Sequence, residues 1–295
     1  MPFFEIQITA PVELHDPVTN RLFELGAQGV NEPDPKSPQI LRGFFDTESR
    51  AIVEKELPVY LQSLTEIFPG LPKAAFVFLE VPDENWSESF KKYYLPQALS
   101  SVFFLRPAWE PPSVVPPGYV EIVMEPGQAF GTGLHPTTRL CVRIIERGLS
   151  YFKNNSEVHL LDVGTGTGIL AIVAAKLDVG HVVGIDNDPI AVEVASENMQ
   201  LNHCSKVEIS GTDLAKVKGP FHILVSNILF ETHKELADQY VRLVPEGGYL
   251  ILSGLLTPQA KEMDAMFREL GFVFDCSVSL QEWTALAYTK CSPKS

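Results

Sequence analysis

The chain lacks any apolar run long enough to span a bilayer. Its most continuous apolar stretch, ILAIVAAKL at 169–177, is broken by Lys176 and bounded by Asp178, far short of the roughly 20 residues a membrane helix needs. The opening MPFFEIQ has no basic segment ahead of an apolar core, so no secretory leader is expected. Cysteine is scarce and scattered: Cys141, Cys204, Cys276 and Cys291 form no Cys-x-x-Cys pair. That argues against a disulfide framework or a zinc site and suits a reducing compartment. Positive charge is also in deficit, with 23 Lys and Arg against 37 Asp and Glu and a formal net charge of −14. Such a chain repels phosphate backbones, so direct nucleic-acid binding is not expected and a basic protein is the better partner. A soluble, cytoplasmic, monomeric protein without a metal or membrane site is the expectation.

What is present falls into three parts. In residues 1–81, FFEIQITA alternates like a strand, HDPVTNRLFELGA has helical spacing, GVNEP is a weak strand, and QILRGFFD at 39–46 a clear one. ESRAIVEKELPVYLQSLTEIF reads as a longer amphipathic helix, open to interruption at Pro58, and KAAFVFLEV at 73–81 as a closing strand. The order β-α-β-β-α-β is that of a ferredoxin-like α+β domain. Residues 82–117 read as a connector. There VPDENWSESFKKYYLPQ spaces Trp86, Phe90, Tyr93 and Tyr94 almost helically, and proline-dense VFFLRPAWEPPSVVPPG follows. The aromatics suit packing between domains, and Lys91 and Lys92 are open to touching a ligand.

Residues 118–295 alternate strand and helix. Strands are expected at 119–125, 158–164, 181–186, 206–211, 221–228, 248–254, 271–278 and 283–290, several of them continuous apolar runs. Such runs belong to strands buried on both faces of a parallel, doubly wound sheet. The last two are joined by only SLQE, too short for a parallel crossover, so they form a hairpin and one strand at the end runs antiparallel. The expected fold is α/β: a Rossmann-like, mostly parallel seven-stranded sheet with an antiparallel terminal strand, which resembles the class I methyltransferase fold.

LLDVGTGTGILAIVAAK is a strand, a glycine-rich turn and a helix. Gly164, Gly166 and Gly168 permit a sharp turn and close approach of a ligand, and the following helix N-terminus offers free N–H groups. Their spacing differs from the dinucleotide fingerprint. Asp162 just before the turn disfavours a pyrophosphate and favours the amino group of an amino-acid-like ligand. Asp186 ends the next strand about 20 residues on, where a carboxylate grips ribose hydroxyls. Asp213 ends the strand after that and is placed to accept from an adenine amine. An adenosine carrying methionine is S-adenosylmethionine (SAM), the cofactor this set implies. Taken singly, the glycines read as a tight turn and the aspartates as strand-end caps.

Asn227 ends the strand FHILVSNI, at the carboxyl edge where ligands of parallel sheets sit. Its carbonyl can accept from an acceptor amine and aim the nitrogen at the methyl carbon, or it closes an Asx turn. Upstream, EPGQAFGTGLHPTT precedes a helix that Thr137 or Thr138 can cap. Its Gly-Thr-Gly loop is expected to close over the methionine end. His135 is either a weak general base or a cap.

ENWSESFKKYYLPQ, EPGQAFGTGLHPTT, LDVGTGTGILAI, GIDNDPIAV, SNILF and EWTALA together resemble the bacterial ribosomal protein L11 methyltransferase (PrmA) family over residues 84–290. Over 1–81 only the ferredoxin-like plan matches, which in that family recognises the substrate. The resemblance implies trimethylation of amines, lysine ε-amines and the N-terminal α-amine, on a basic ribosomal protein. Carried over, SAM contacts fall on Thr138, Gly164, Asp186 and Asn227, with Phe130, Thr132 and His135 in the closing loop. Many members have a small residue after Asn-Ile-Leu; Phe230 here implies a bulkier pocket wall. Two other readings stay open: methylation of another protein lysine or small amine, and a non-catalytic SAM-binding assembly factor.

Overall fold

In the computed structural model, which describes residues 3–27, 29–31, 39–81, 94–125, 131–133 and 135–291, contacts divide the chain into two units, Met1–Tyr93 and Tyr94–Ser295. The first begins with β1 (Phe3–Thr9), whose Phe4, Ile6 and Ile8 alternate with polar residues and are all fully buried. A period of two places them on one face. There follow α1 (His15–Glu24), β2 (Gly29–Asn31), β3 (Ile40–Asp46), α2 (Arg50–Ile67) and β4 (Ala75–Val81). The sheet order is β2-β3-β1-β4, antiparallel throughout, which is the ferredoxin-like arrangement.

α2 runs unbroken through Pro58, a position the sequence left open to interruption. Its buried stripe Val53, Leu57, Leu61 and Leu64 straddles the proline. A mid-helix proline costs about 3 kcal/mol. Each fully buried aliphatic side chain contributes roughly 1.5–3 kcal/mol, so packing on both sides outweighs it.

In the second unit, β5 (Gln97–Ala98), β6 (Phe103–Pro107) and β7 (Val120–Met124) form a small sheet, with β5–β6 antiparallel and β6–β7 parallel. Residues 97–107, read from sequence as connector, therefore contribute strands to this unit, whereas Trp86, Phe90 and Tyr93, noted for their near-helical spacing, lie outside the described residues. β7, expected in the large sheet, is not part of it. Two carboxamides occupy the place of a neighbouring strand. From α5 (Pro189–Leu201), Asn198 Oδ1 accepts from Glu125 N at 2.9 Å, and its Nδ2 donates to the carbonyls of Glu125 at 3.1 Å and Thr167 at 3.0 Å. Four residues on, Asn202 Oδ1 accepts from Val123 N at 2.9 Å and its Nδ2 donates to Val123 O at 2.6 Å. An i, i+4 pair shares one helix face, so the two side chains bond to the strand edge in series.

The remaining elements are α3 (Pro136–Leu149), β8 (His159–Val163), α4 (Ile169–Lys176), β9 (His181–Ile185), β10 (Val207–Ser210), β11 (Ile223–Asn227), α6 (Phe230–Leu243), β12 (Tyr249–Leu256), α7 (Ala260–Glu269), β13 (Phe272–Leu280) and β14 (Trp283–Lys290). The seven-stranded order is β10-β9-β8-β11-β12-β14-β13. Strands β8 to β12 are parallel, and β14 is antiparallel to both neighbours. The antiparallel strand is last in sequence but sits one place inside the edge, which β13 forms. The chain order reverses between β8 and β11, and such a switch point leaves a crevice beyond the strand ends. Among the described residues no helix is long and apolar enough to cross a membrane.

Asn198→Ala removes the partner of the part-buried Glu125 N–H and carbonyl and of the buried Thr167 carbonyl. The expected loss is about 2–3 kcal/mol of unfolding free energy, read as a lowered urea midpoint.

Candidate functional site

The crevice at the switch point is a cleft of about 650 Å³. Its floor is the turn after β8, where Gly164 and Gly166 line it. Gly164 has φ 73°, and a Cβ there would come within 2.6 Å of Ile228 Cγ2. The turn therefore presses on the end of β11 in a way only glycine permits. Gly168 is not on the cleft; it starts α4 and packs against Ala195 and Met199 of α5. Asp162 lies beneath the turn, fully buried. Its Oδ2 accepts from the Thr165 hydroxyl at 2.7 Å, and its Oδ1 has no partner. Burial pushes this carboxyl up to about 7, against the pull of Thr165, and the Asp186 carboxylate adds to the rise.

Asp186 forms one side wall. Its Oδ2 accepts from Gly166 N at 2.9 Å and its Oδ1 from Asp188 N at 3.1 Å. Two backbone donors fix the carboxylate, and each oxygen keeps a lone pair for a further donor. Asp188 caps α5 through Ile190 N at 2.9 Å and also lines the cleft. Asp213 is elsewhere: exposed, absent from the lining, and capping its own short turn through Ala215 N at 2.8 Å.

Asn227 ends β11 on the opposite wall, and its buried Oδ1 has no hydrogen-bond partner. A buried acceptor without a donor costs free energy, so this atom is poised to take an N–H from something in the cleft. Leu229 beside it is 73% exposed and lines the cleft. Phe230, expected as a pocket wall, instead points into the core. Phe230, His233, Ala237 and Tyr240 form the buried stripe of α6, and helical spacing turns Phe230 away from the site.

The roof comes from α3. His135, rather than Thr137 or Thr138, is the residue that caps it: Nδ1 accepts from Thr137 N at 3.3 Å and sits 2.7 Å from Thr137 Oγ1. With Nδ1 accepting, the proton of the neutral ring sits on Nε2. The ring meets Trp283 edge-on at 4.8 Å. Burial lowers the His135 pKa below its usual value, with Glu282 opposing. Thr137 lines the cleft, whereas Thr138 is fully buried, off the lining, with Oγ1 unpartnered.

The two Gly-Thr-Gly loops touch. Thr167 Oγ1 of the second donates to the Gly131 carbonyl of the first at 2.6 Å. Gly131 has φ 99°, and a Cβ there would lie 3.2 Å from that same Oγ1. The Tyr94 hydroxyl donates to the Thr132 carbonyl at 2.6 Å. Residues 131–133, expected as a closing loop, are thus hydrogen-bonded at both Gly131 and Thr132. Phe130 lies outside the described residues. Sequence reasoning missed Trp283, Gly254 and Thr232, which line the cleft together with Asn187, Ala191 and Ile228. Trp283 opens β14, Thr232 lies in the first turn of α6 and Gly254 in the bulge of β12, and the only available signal was proximity to the carboxyl edge of the sheet.

Comparison with known proteins agrees with this architecture. The family model described as ribosomal protein L11 methyltransferase (PrmA) matches residues 2–291. The ribosomal protein L11 methyltransferase of Myxococcus xanthus is 32% identical over 296 residues, covering 96% of this chain and 97% of its own. That of Bacillus licheniformis is 35% identical over 318 residues, covering 98% and 100%. The crystal structure of ribosomal protein L11 methylase from Lactobacillus delbrueckii subsp. bulgaricus superposes with a TM-score of 0.61 at 32% identity, over 67% of this chain and 99% of that one. With its ferredoxin-like and class I methyltransferase units in sequence, the chain belongs to the ribosomal protein L11 methyltransferase (PrmA) family.

Proposed function

We propose that this chain uses SAM to methylate amines of ribosomal protein L11 in the cytoplasm: lysine ε-amines, with the N-terminal α-amine as a second acceptor. The observation that carries this reading is the unpartnered Asn227 Oδ1 on the cleft wall, across from a carboxylate already fixed by two backbone N–H groups. The acceptor amine brings a donor for Asn227, and SAM brings donors for the carboxylate: its ribose hydroxyls suit Asp186, and Gly164 and Gly166 leave room for the methionine portion. Asp162 Oδ1 and Thr138 Oγ1, both buried and unpartnered, supply further acceptor capacity around the turn. Asp213 is the weakest member of the proposed set, since it is exposed, off the lining, and already caps its own turn through Ala215 N.

When bound, SAM supplies an electrophilic methyl carbon on a sulfonium. The residues of the chain act on the acceptor. Asn227 Oδ1 accepts an N–H from the amine and turns its lone pair toward the methyl group. Methyl transfer to that nitrogen would leave it with a surplus proton, which passes to water. A free lysine has a pKa near 10.4. Desolvation between Leu229, Trp283 and Ile228 favours the neutral amine, so alignment supplies most of the acceleration. His135 does not serve as the base in this reading, because its Nδ1 is already engaged by Thr137 and its Nε2 carries the proton. It shapes the roof and caps α3. The first unit, in which Asp and Glu outnumber Lys and Arg by about two to one, is proposed to recognise the basic substrate protein.

Asn227→Ala is expected to lower kcat about 100-fold, the scale of a misaligned reacting pair, while SAM affinity by calorimetry changes little. A collapse of SAM affinity with normal turnover of bound SAM would count against the assignment. Asp186→Ala should do the reverse, weakening SAM binding by about 10- to 100-fold. His135→Asn keeps an N-cap acceptor for Thr137. Its pH–rate profile on L11, followed by mass spectrometry, should match the parent; loss of the acid-side limb in the variant would restore His135 as the base.

A further inference from the structure

Behind the cleft wall lies a connected set of buried polar groups. Ser226, His233, Tyr240 and Ser253 are all fully buried. The Ser226 hydroxyl donates to the Val163 carbonyl at 3.2 Å. The Tyr240 hydroxyl donates to Ser226 Oγ at 3.1 Å and lies 3.4 Å from His233 Nδ1. His233 Nε2 donates to the Ser253 carbonyl at 2.8 Å. The Ser253 hydroxyl donates to the Thr137 carbonyl at 3.3 Å, reaching the cleft roof. Burial pushes the His233 pKa down to about 4, so the ring is neutral at pH 7. The Ser253 carbonyl can only accept, which places the ring proton on Nε2.

The positions of the partners give the set its meaning. Val163, Ser226 and Ser253 each stand one residue before a cleft residue: Gly164, Asn227 and Gly254. They lie at the carboxyl end of the paired stretch across three adjacent strands, with Ser226 paired to Val163 and Asn227 to Ser253. At this level the ladder gives out. β12 shifts register between Leu252 and Leu255. Within that bulge Gly254 has φ 84°, and a Cβ there would lie 2.1 Å from the Ile228 carbonyl oxygen. The side-chain network thus takes over where main-chain pairing ends. His233 and Tyr240, seven residues apart, project from one face of α6. Apolar side chains there would fill the same space without removing polar groups from water. With the ring proton on Nε2, the single Tyr240 hydroxyl proton faces two acceptors, Ser226 Oγ at 3.1 Å and His233 Nδ1 at 3.4 Å, so the set depends on both side chains keeping their places.

We propose that Tyr240 and His233 are positioning residues for methyl transfer: from α6 they hold the ends of β8, β11 and β12 in the single register at which Asn227 meets the reacting atoms. The inference rests on the role proposed for Asn227.

Tyr240→Phe deletes one hydroxyl and keeps the ring. Its kcat on ribosomal protein L11 with SAM should fall about tenfold, equivalent to about 1.4 kcal/mol, the scale of one buried hydrogen bond. Its affinity for S-adenosylhomocysteine should stay within about twofold of the parent. His233→Gln, which keeps an N–H donor near the Nε2 position, should retain more turnover than His233→Leu. Tyr249→Phe is the control: it removes a hydroxyl that donates to Asp275 at 2.6 Å at the other end of β12. It should lower the melting temperature and leave kcat unchanged at room temperature. Parental kcat in folded Tyr240→Phe, or a fall no larger than in Tyr249→Phe, would overturn the inference. A parent protein that binds SAM yet leaves L11 unmethylated would overturn the underlying reading, and this inference with it.

Discussion

The reversal of strand order between β8 and β11 is the constraint from which the site follows. Two parallel neighbours whose connections leave in opposite directions cannot be covered by one crossover helix at their carboxyl ends. The gap is closed by what the strand ends themselves carry, and here that is a glycine turn on one side and Asn-Ile-Leu on the other. Gly164 lies against Ile228 so closely that a methyl group would not fit, so the two ends are read as one surface. The cleft is the space left above them.

Much of what fixes the geometry of this surface is polar. Asp186 takes two backbone N–H groups. Asn198 and Asn202 stand in for a strand along β7. Ser226, Tyr240, His233 and Ser253 bridge the strand ends. A hydrogen bond in the interior adds only about 1 kcal/mol net, but an unmet partner costs more. Networks of this kind therefore select one arrangement more than they add stability. Against that background the unpartnered atoms stand out. Asn227 Oδ1, Asp162 Oδ1 and Thr138 Oγ1 all belong to segments that converge at the switch point.

The paired Gly-Thr-Gly loops have different jobs. The second turns the chain from β8 into α4. The first is carried by β7, which the two asparagines fix, and meets the second through Thr167 and Gly131. Their likeness comes from a shared need for left-handed backbone at close approach, met separately at two places that touch.

The sequence by itself determined the elements and their order. Alternation in β1, the apolar runs of β8 and β11, and a linker too short for a crossover before β14 are local signals. Each follows from periodicity or chain length within a few residues. The glycine turn with Asp186 after the next strand was legible for the same reason, since both lie at strand ends in a fixed topology. Tertiary structure alone decided which groups meet. Nothing local says that Asn198 binds Glu125, that β14 inserts between β12 and β13, or that Trp283 reaches His135. Nor did spacing separate Leu229, on the cleft, from Phe230, in the core, because one residue's rotation at a helix start decides between them. A strand end exposes its last side chains to whatever the fold brings opposite, and those partners come from tens of residues away, beyond the reach of any local pattern.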